Sequence, residues 1–379
     1  MYCLLGWRVE TPLMYVTKLR LQNYRNLTQQ LSLSPGLNVF AGRNAQGKTN
    51  LLESIYLCAS GRAKRAKNDR ELVRFGEREA YVQLAVSNEA SAYPVQIDIH
   101  LRNDRPKGIA INGVPIRKLS ELFGVLLCVI FTPEDLQLIK EGPAERRRFI
   151  DMEMCQISRV YVYHLQTYHH VLKQRNSLLK SLKGDRNAAR QLRDTISIWN
   201  EQLAEHGARV HYERSGFIDG LNSAAADIHS RLTGGGEALN ISYKPNVHPD
   251  DFPLKLAQSL DRDIALGSTS VGIHKDDLYF AINGIDARTY GSQGQQRTAS
   301  LSAKLAQIEL MTKLAGESPV LLLDDVLSEL DESRQVCLMR SISGIQSIIT
   351  CTGVEDVVRK ISDAQSYRIF RIERGVVGQ

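Results

Sequence analysis

The chain has 379 residues, a formal net charge of +6, 24% charged and 43% hydrophobic residues, an ordinary soluble composition with length enough for two domains. It holds no run of eighteen apolar residues, which excludes a helical membrane span. None of its six cysteines stands in a C-x-x-C pair, which excludes a zinc knuckle or a disulfide scaffold. The cysteines read as reduced thiols of a cytoplasmic protein, and the mild positive charge permits a nucleic-acid partner without requiring one.

Residues 1–13, "MYCLLGWRVETPL", precede a second methionine, Met14. They are short and carry little basic charge at the start, unlike a secretory signal. From Met14 the segment "MYVTKLRLQNYRNL" alternates as a strand through Thr17, Leu19 and Leu21. Residues 1–13 are therefore expected to lie outside the fold, as an extension from an upstream start. "GLNVF", opened by Pro35-Gly36, suits a buried strand, and "NLLESIYLCA" suits a helix through Leu51, Leu52, Ile55 and Tyr56.

Between that strand and that helix stands "FAGRNAQGKTNLLE". Gly42, Gly47, Lys48 and Thr49 fill the pattern G-x-x-x-x-G-K-[ST] in strand-to-helix context, which makes this a P-loop. Its glycines let the backbone of Gly42, Arg43, Asn44, Ala45, Gln46 and Gly47 turn N–H groups toward phosphate. The helix start adds unpaired donors and a positive dipole end. Lys48 is placed for the β- and γ-phosphates and the Thr49 hydroxyl for Mg²⁺, so the cofactors are ATP and Mg²⁺.

Residues 61–78 hold seven basic side chains against three acids, and Arg146, Arg147 and Arg148 form a second cluster. Arg62, Lys64, Arg65, Lys67, Arg70 and the three arginines at 146–148 are candidate DNA contacts, since basic clusters bind phosphate without sequence preference. A solvated charged face is the competing reading, and Arg62, Lys64 and Arg65 also lie close enough to the P-loop helix to serve nucleotide or dimer contacts. "PVQIDIHL" alternates as a strand, and "INGVPI" carries an Asn112-Gly113 hairpin signal. "FTPEDL" reads as a helix start with Thr132 as N-cap, Pro133 first and Asp135 three residues after the cap.

From about 143 to 233 the pattern is helical. Ile157, Tyr161, Leu165, Tyr168, Leu172, Leu179 and Leu182 share one face. After a Gly184-Asp185 break, Ile196, Leu203, Val210 and Phe217 recur every seven residues, with Leu192 and Trp199 offset. A short coiled-coil-like pair and two core helices of a helical subdomain fit equally well. "LTGGGE" ends the second helix, and "DLYFAINGIDA" is a second strand with an Asn283-Gly284 turn. His274, Asp276 and Asp277 precede it, as a strand-entry turn or a metal site. The expected organisation is an α/β P-loop ATPase head with an inserted helical second domain: 14–130 and 266–379 for the head, 131–265 for the helical arm.

"YGSQGQQRT", residues 290–298, places Ser292, Gly294 and Gln295 at the start of an amphipathic helix, a second phosphate-binding end or a plain Ser292 N-cap. "PVLLLDDVLSELD", 319–331, is an apolar strand ending in two acids. Asp324 is placed to hold Mg²⁺ and Asp325 to polarise the attacking water. The segment at Ser292 resembles the signature motif of ABC-type ATPases, and "SELD" resembles their D-loop. That resemblance implies a site completed between two subunits, with Ser292 of one closing over the γ-phosphate held by the P-loop of the other.

"LRLQNYRNL", "GRNAQGKTNLLESIYL", "FTPEDL" with "RRRFID", "GIHKDDL", "SQGQQR" and "LLLDDVLSELD" together resemble the RecF family of bacterial DNA recombination and repair ATPases. The resemblance implies a Rad50-like ATPase head and ATP-dependent homodimerisation on DNA at gaps. It also implies help in placing RecA on SSB-coated single strands with RecO and RecR. Thr132 stands where ABC transporters carry a glutamine, and Thr350 and Thr352 where many carry a switch histidine, which fits a slow switch better than a motor. An ABC transporter ATPase subunit would have a shorter gap than the about 250 residues from Gly42 to Ser292, and an SMC-like structural head would need a longer coiled coil.

Overall fold

A computed structural model of the chain describes residues 13–88, 93–183, 192–353 and 367–378. The expected extension lies outside the described residues except at Leu13, which bridges in parallel to Ser318 and so touches the fold. The Gly184-Asp185 break also lies outside them. The chain divides into two compact units, one within Met1–Asp135 and Gln307–Gln379, the other within Leu136–Ala306.

The first unit holds two sheets. Strands β1 (Met14–Tyr24) and β2 (Leu27–Ser32) are followed by β3 (Leu37–Ala41), the P-loop and helix α1 (Lys48–Ser60). Strands β4 (Glu79–Asn88), β5 (Val95–Arg102), β6 (Gly108–Ile111) and β7 (Val114–Pro115) come next, then β8 (Cys128–Phe131). One sheet is ordered β2-β1-β4-β5-β6-β7 and is antiparallel. Its β1 corrects the expected alternation. A register shift between Val16 and Lys18 puts Val16 and Leu19 in the core and leaves Thr17 half-buried, because the bulge moves the side-chain phase by one residue. Asn112 and Gly113, both left-handed, turn β6 into β7 as the dipeptide predicts.

The second unit opens with α2 (Pro143–Ile157), α3 (Arg159–Ser181) and α4 (Arg193–Leu232). Strand β9 (Leu239–Lys244), helices α5 (Phe252–Gln258) and α6 (Leu260–Leu266), and strands β10 (Asp277–Ile282) and β11 (Ile285–Asp286) follow. Helix α7 (Ala287–Tyr290) then leads to α8 (Gln293–Ala315), within which the division between units falls. The heptad residues Ile196, Leu203, Val210 and Phe217 are all buried, and α3 packs on α4. At about 1.5 Å per residue the 40 residues of α4 span about 60 Å.

Residues 266–306 pack with this helical unit rather than with the head, which differs from the division drawn on sequence. The cause is pairing: β10 runs antiparallel to β9 from Asp277↔Lys244 to Ile282↔Leu239. A buried polar network adds to it. Arg214 of α4 donates to Asp151 at 2.7 Å, to Asp276 at 3.1 Å and to the Ile273 carbonyl at 3.0 Å. Asp276 also accepts from Tyr243 and from the Asn246 N–H. "FTPEDL" forms one 3-10 turn over Pro133–Gln137 rather than a long helix, although Asp135 does cap the Thr132 N–H at 2.8 Å.

After α8 the chain returns to the head with β12 (Val320–Asp324), α9 (Glu332–Ser341), β13 (Ser347–Cys351), β14 (Tyr367–Glu373) and β15 (Val376–Gly378). The second sheet of the head is ordered β15-β14-β3-β13-β12-β8, parallel throughout except for the β14–β15 hairpin. Strands β3, β12 and β13 are buried at every residue, which is why their sequences are mostly apolar, with Asn38, Asp324, Ser347 and Thr350 as buried polar exceptions. Buried Gln346, just before β13, ties the two sheets together. Its amide accepts from Val16 N at 2.7 Å and donates to Val16 O at 2.8 Å.

Candidate nucleotide-binding site

The P-loop leaves the C-terminal end of β3, where a parallel sheet presents its ligand crevice. Gly47 is left-handed with φ 109° and precedes α1 without any side-chain cap or first-turn acid, so the helix start keeps its donors for an external anion. A Cβ at Gly47 would sit 2.8 Å from Asn26 Nδ2, and one at Gly42 would sit 2.4 Å from the Ile372 carbonyl oxygen of β14. Both glycines are thus required by close approach as well as by the cradle. Lys48 is 6% exposed, and its ammonium donates to the Gly42 carbonyl and, at 3.1 Å, to the Arg43 carbonyl. The charge lies folded across the loop, on oxygens that phosphate oxygens can replace.

The metal-binding candidates meet. Thr49 of α1 donates to Asp324 Oδ1 at 2.9 Å across 275 residues of sequence. A third residue joins them: Thr350, at the end of β13 between β3 and β12, donates to the same oxygen at 2.9 Å. Its Oγ1 in turn accepts from the Asp325 N–H at 3.0 Å. Sequence reasoning saw Thr350 only as a missing histidine. Its place in the strand between the P-loop strand and the acidic strand is what gives it the role. Asp325 is left-handed at φ 54°. Burial pushes its carboxyl above the usual range, the charge of Asp324 adds to this, and Lys48 opposes it.

The basic candidates separate. The Arg65 guanidinium lies 3.3 Å from Asp324 Oδ2 and 3.2 Å from Glu134, and its backbone N–H donates to buried Glu53 at 2.8 Å. Lys64 pairs with Asp135 and donates to Thr132 Oγ1 at 2.9 Å. Arg65 thus stands beside Asp324 while its side chain stays exposed, and Lys64 is half-buried. The assignment of Arg146 to DNA is corrected. It is 2% exposed, held by both carboxylate oxygens of Asp277 at 2.6 and 2.9 Å, and serves the packing of α2 on β10. Arg147 donates to the Asp276 carbonyl at 2.7 Å. Arg62, Lys67, Arg70 and Arg148 remain exposed. The His274, Asp276 and Asp277 side chains are all occupied within the helical unit. No group of three histidine, cysteine, aspartate or glutamate side chains placed to hold a metal ion occurs among the described residues.

A cavity of about 640 Å³ opens beside the P-loop, lined by Arg25, Asn26, Arg74, Phe75, Arg374 and Gly375. Asn26 Nδ2 donates to the Gln46 carbonyl at 3.2 Å and Gly375 N to the same oxygen at 3.1 Å, so the cavity and the cradle share Gln46. Phe75 sits on the tip of a turn, fully exposed at 104%, with Gly76 behind it at φ 87°. Neither Phe75 nor Arg374 carries a sequence signal on its own. In the helical unit, Ser292 and Gln295 form a reciprocal cap. Ser292 Oγ accepts from Gln295 N at 3.2 Å, and Gln295 Oε1 accepts from Ser292 N at 2.9 Å. Ser292 and Gly294 are exposed beside it.

The family model described as RecF/RecN/SMC N terminal domain matches residues 15–377. The chain belongs to this family. It is 46% identical over 365 residues to a DNA replication and repair protein RecF of Lachnoclostridium phytofermentans, covering 96% of this chain and 99% of that one. It is 40% identical over 373 residues to the RecF of Clostridium acetobutylicum, covering 97% and 100%. Among solved structures, the recombination mediator protein RecF with ATP in the RecFOR pathway matches with a TM-score of 0.87 at 37% identity over 97% of each chain. A Pyrococcus furiosus Smc head matches with a TM-score of 0.56 at 16% identity over 96% of this chain and 95% of that one, which shows the shared head fold. The RecF-like, Rad50-like α/β head read from the motifs is the fold of this chain.

Proposed function

We propose that the chain is an ATP-dependent DNA-binding protein of DNA replication and repair, acting as a slow, DNA-stimulated ATPase switch. Its carrying observation is the convergence of Thr49, Asp324 and Thr350 beside an uncapped P-loop helix. One P-loop hydroxyl and one carboxylate at a phosphate cradle are the protein donors that hold Mg²⁺ on a nucleotide, and Thr350 fixes the carboxylate. Mg²⁺, when bound, neutralises charge on the terminal phosphates. Lys48 exchanges the Gly42 and Arg43 carbonyls for phosphate oxygens, and Asp324, now paired with Arg65, would be the carboxylate that holds the cation. Asp325, raised in pKa and next to Asp324, holds the water and takes its proton. The cavity at Phe75 and Arg374 offers room and a ring face to the nucleoside end.

Two ATP-loaded copies close as a homodimer, with Ser292, Gly294 and Gln295 of each copy over the nucleotide of the other. The dimer clamps DNA at junctions of single and double strands. It helps place the recombinase RecA on SSB-coated single strands, with RecO and RecR. The likeness to a recombination mediator RecF of the RecFOR pathway and to RecF replication and repair proteins supports this reading. Exposed Arg62, Lys67, Arg70 and Arg148 are the candidate phosphate contacts. Sedimentation with and without ATP, Mg²⁺ and gapped duplex DNA tests it: a dimer is expected only with ATP, and more of it with the DNA. A monomer under every condition would refute the clamp.

A further inference from the structure

The loop before α8 is tied to the end of α4 by a chain of side chains that the reading above leaves unused. Gly234 and Gly235, left-handed at φ 62° and 80°, turn the chain sharply after α4. Glu237 thereby returns to His229, in the last turn of that helix. His229 Nε2 lies 3.2 Å from Glu237 Oε2, and His229 Nδ1 lies 3.0 Å from Ser302 Oγ. The other oxygen of Glu237 accepts from Gln295 Nε2 at 2.9 Å. Gln295 and Ser292 then cap each other through the two bonds given above.

The Ser302 hydroxyl donates to the Thr298 carbonyl at 2.8 Å. A carboxylate only accepts, so the Nε2 of the wholly buried His229 carries the proton of its contact with Glu237. The same carboxylate fixes the Gln295 amide with its nitrogen inward, which leaves the amide oxygen to face the Ser292 N–H. Ser292 Oγ spends a lone pair on the Gln295 N–H, and its proton has no partner among the described residues.

We infer that Glu237, held by His229, is a positioning residue for the exposed loop at Ser292: it sets the Gln295 amide so that Ser292 offers its hydroxyl proton outward to a phosphate oxygen. This rests on the reading of Ser292 as the closing element of a partner's nucleotide site. A flipped amide at Gln295 would turn an N–H₂ against the Ser292 N–H and undo half of the cap.

Sedimentation at saturating ATP and Mg²⁺ tests it with three variants. Glu237→Met, matched in length but without an acceptor, is expected to weaken self-association about tenfold while the affinity of the monomer for a fluorescent ATP analogue stays unchanged. Glu237→Gln keeps an acceptor oxygen and is expected to restore most of the association, which equal side-chain volume alone would not do. If Glu237→Met associates as the unmodified protein does while Ser292→Arg does not, the positioning role is overturned and the reading of Ser292 stands. If Ser292→Arg also associates normally, the reading of Ser292 falls and this inference with it. Nitrogen-15 NMR of the histidine rings in the unmodified protein is independent of any variant's folding. A proton on Nε2 of His229 at neutral pH is expected, and a ring protonated at Nδ1 alone overturns the chain.

Discussion

Asp324, at the end of β12, shares one oxygen between Thr49 of α1 and Thr350 of β13. Thr350→Val keeps the β-branched shape of β13 but removes the hydroxyl that donates to Asp324 and accepts from Asp325 N–H. The orphaned Asp325 N–H should cost about 1–3 kcal/mol. ATP binding without Mg²⁺ should persist, whereas turnover should fall at least tenfold and recover in Thr350→Ser. Mg²⁺ titration of ATPase rate checks this, and an unaltered rate would count against Thr350. Asp325 carries the second residue-scale prediction. Its carboxyl is pushed upward in the fold, so its contribution to stability is present at low pH and lost as pH rises through the raised value. At neutral pH the ionised group is a cost, and Asp325→Asn removes it. The variant should melt higher than the unmodified protein at pH 7 while turning over ATP far more slowly, and the acid limb of unmodified activity should lie above the ordinary carboxylate range. A lower melting temperature at pH 7 would refute the account.

At the scale of elements, the strand-turn-helix at 37–60 and the hairpins at Asn112-Gly113 and Asn283-Gly284 were legible because each is decided locally, by apolar runs and by dipeptides that accept a left-handed turn. The bulge at Thr17 was not, since it depends on β4 as partner. The role of α2 was misread for a related reason. A run of three arginines looks solvated until Asp277, 131 positions away, supplies the buried carboxylate. The entry to β10 shows the same distance effect. His274 Nε2–H donates to the Thr269 carbonyl at 3.1 Å, and Nδ1 accepts from the Tyr168 hydroxyl at 2.8 Å, which defines a neutral ring. Burial pushes its pKa down to about 4. Burial also lowers His164, His169 and His211 of α3 and α4. Between pH 6.5 and about 4 the unfolded His274 takes a proton that the folded one refuses, so stability falls with pH across that window, by up to about 3 kcal/mol for this ring. Urea unfolding at pH 7 and pH 4.5 should show the loss, and His274→Gln should shrink the difference. An equal difference in the variant would place the titration elsewhere.

For the whole molecule, what sequence could not locate is where its pieces divide. The signature segment follows the helical arm in sequence and was grouped with the head, yet Ser292 belongs to the unit within Leu136–Ala306 and the P-loop to the other. The candidate nucleotide site has its cradle and its candidate metal-binding residues together, since Gly42 to Thr49, Asp324 and Thr350 all lie in one unit. Ser292 contributes to none of those contacts, and its cap is closed on Gln295. A monomer of Ser292→Arg should therefore bind ATP almost normally but fail to associate, because an arginine fills the space that a phosphate of another copy needs. As a plain N-cap, the same change would cost about 1 kcal/mol of stability and leave association alone. Lys48→Met fails for the opposite reason, having lost the charge that answers the phosphates while keeping its Ser292 loop. Mixing the two proteins separates the alternatives. In a paired dimer, one composite site joins the intact P-loop of Ser292→Arg to the intact loop of Lys48→Met, and the other site carries both defects. Sedimentation with ATP should then show partial recovery of dimer in the mixture and none in either protein alone. If the mixture stays monomeric while each variant still folds, or if Ser292→Arg alone loses ATP binding, Ser292 acts within its own chain and the two-copy clamp is wrong.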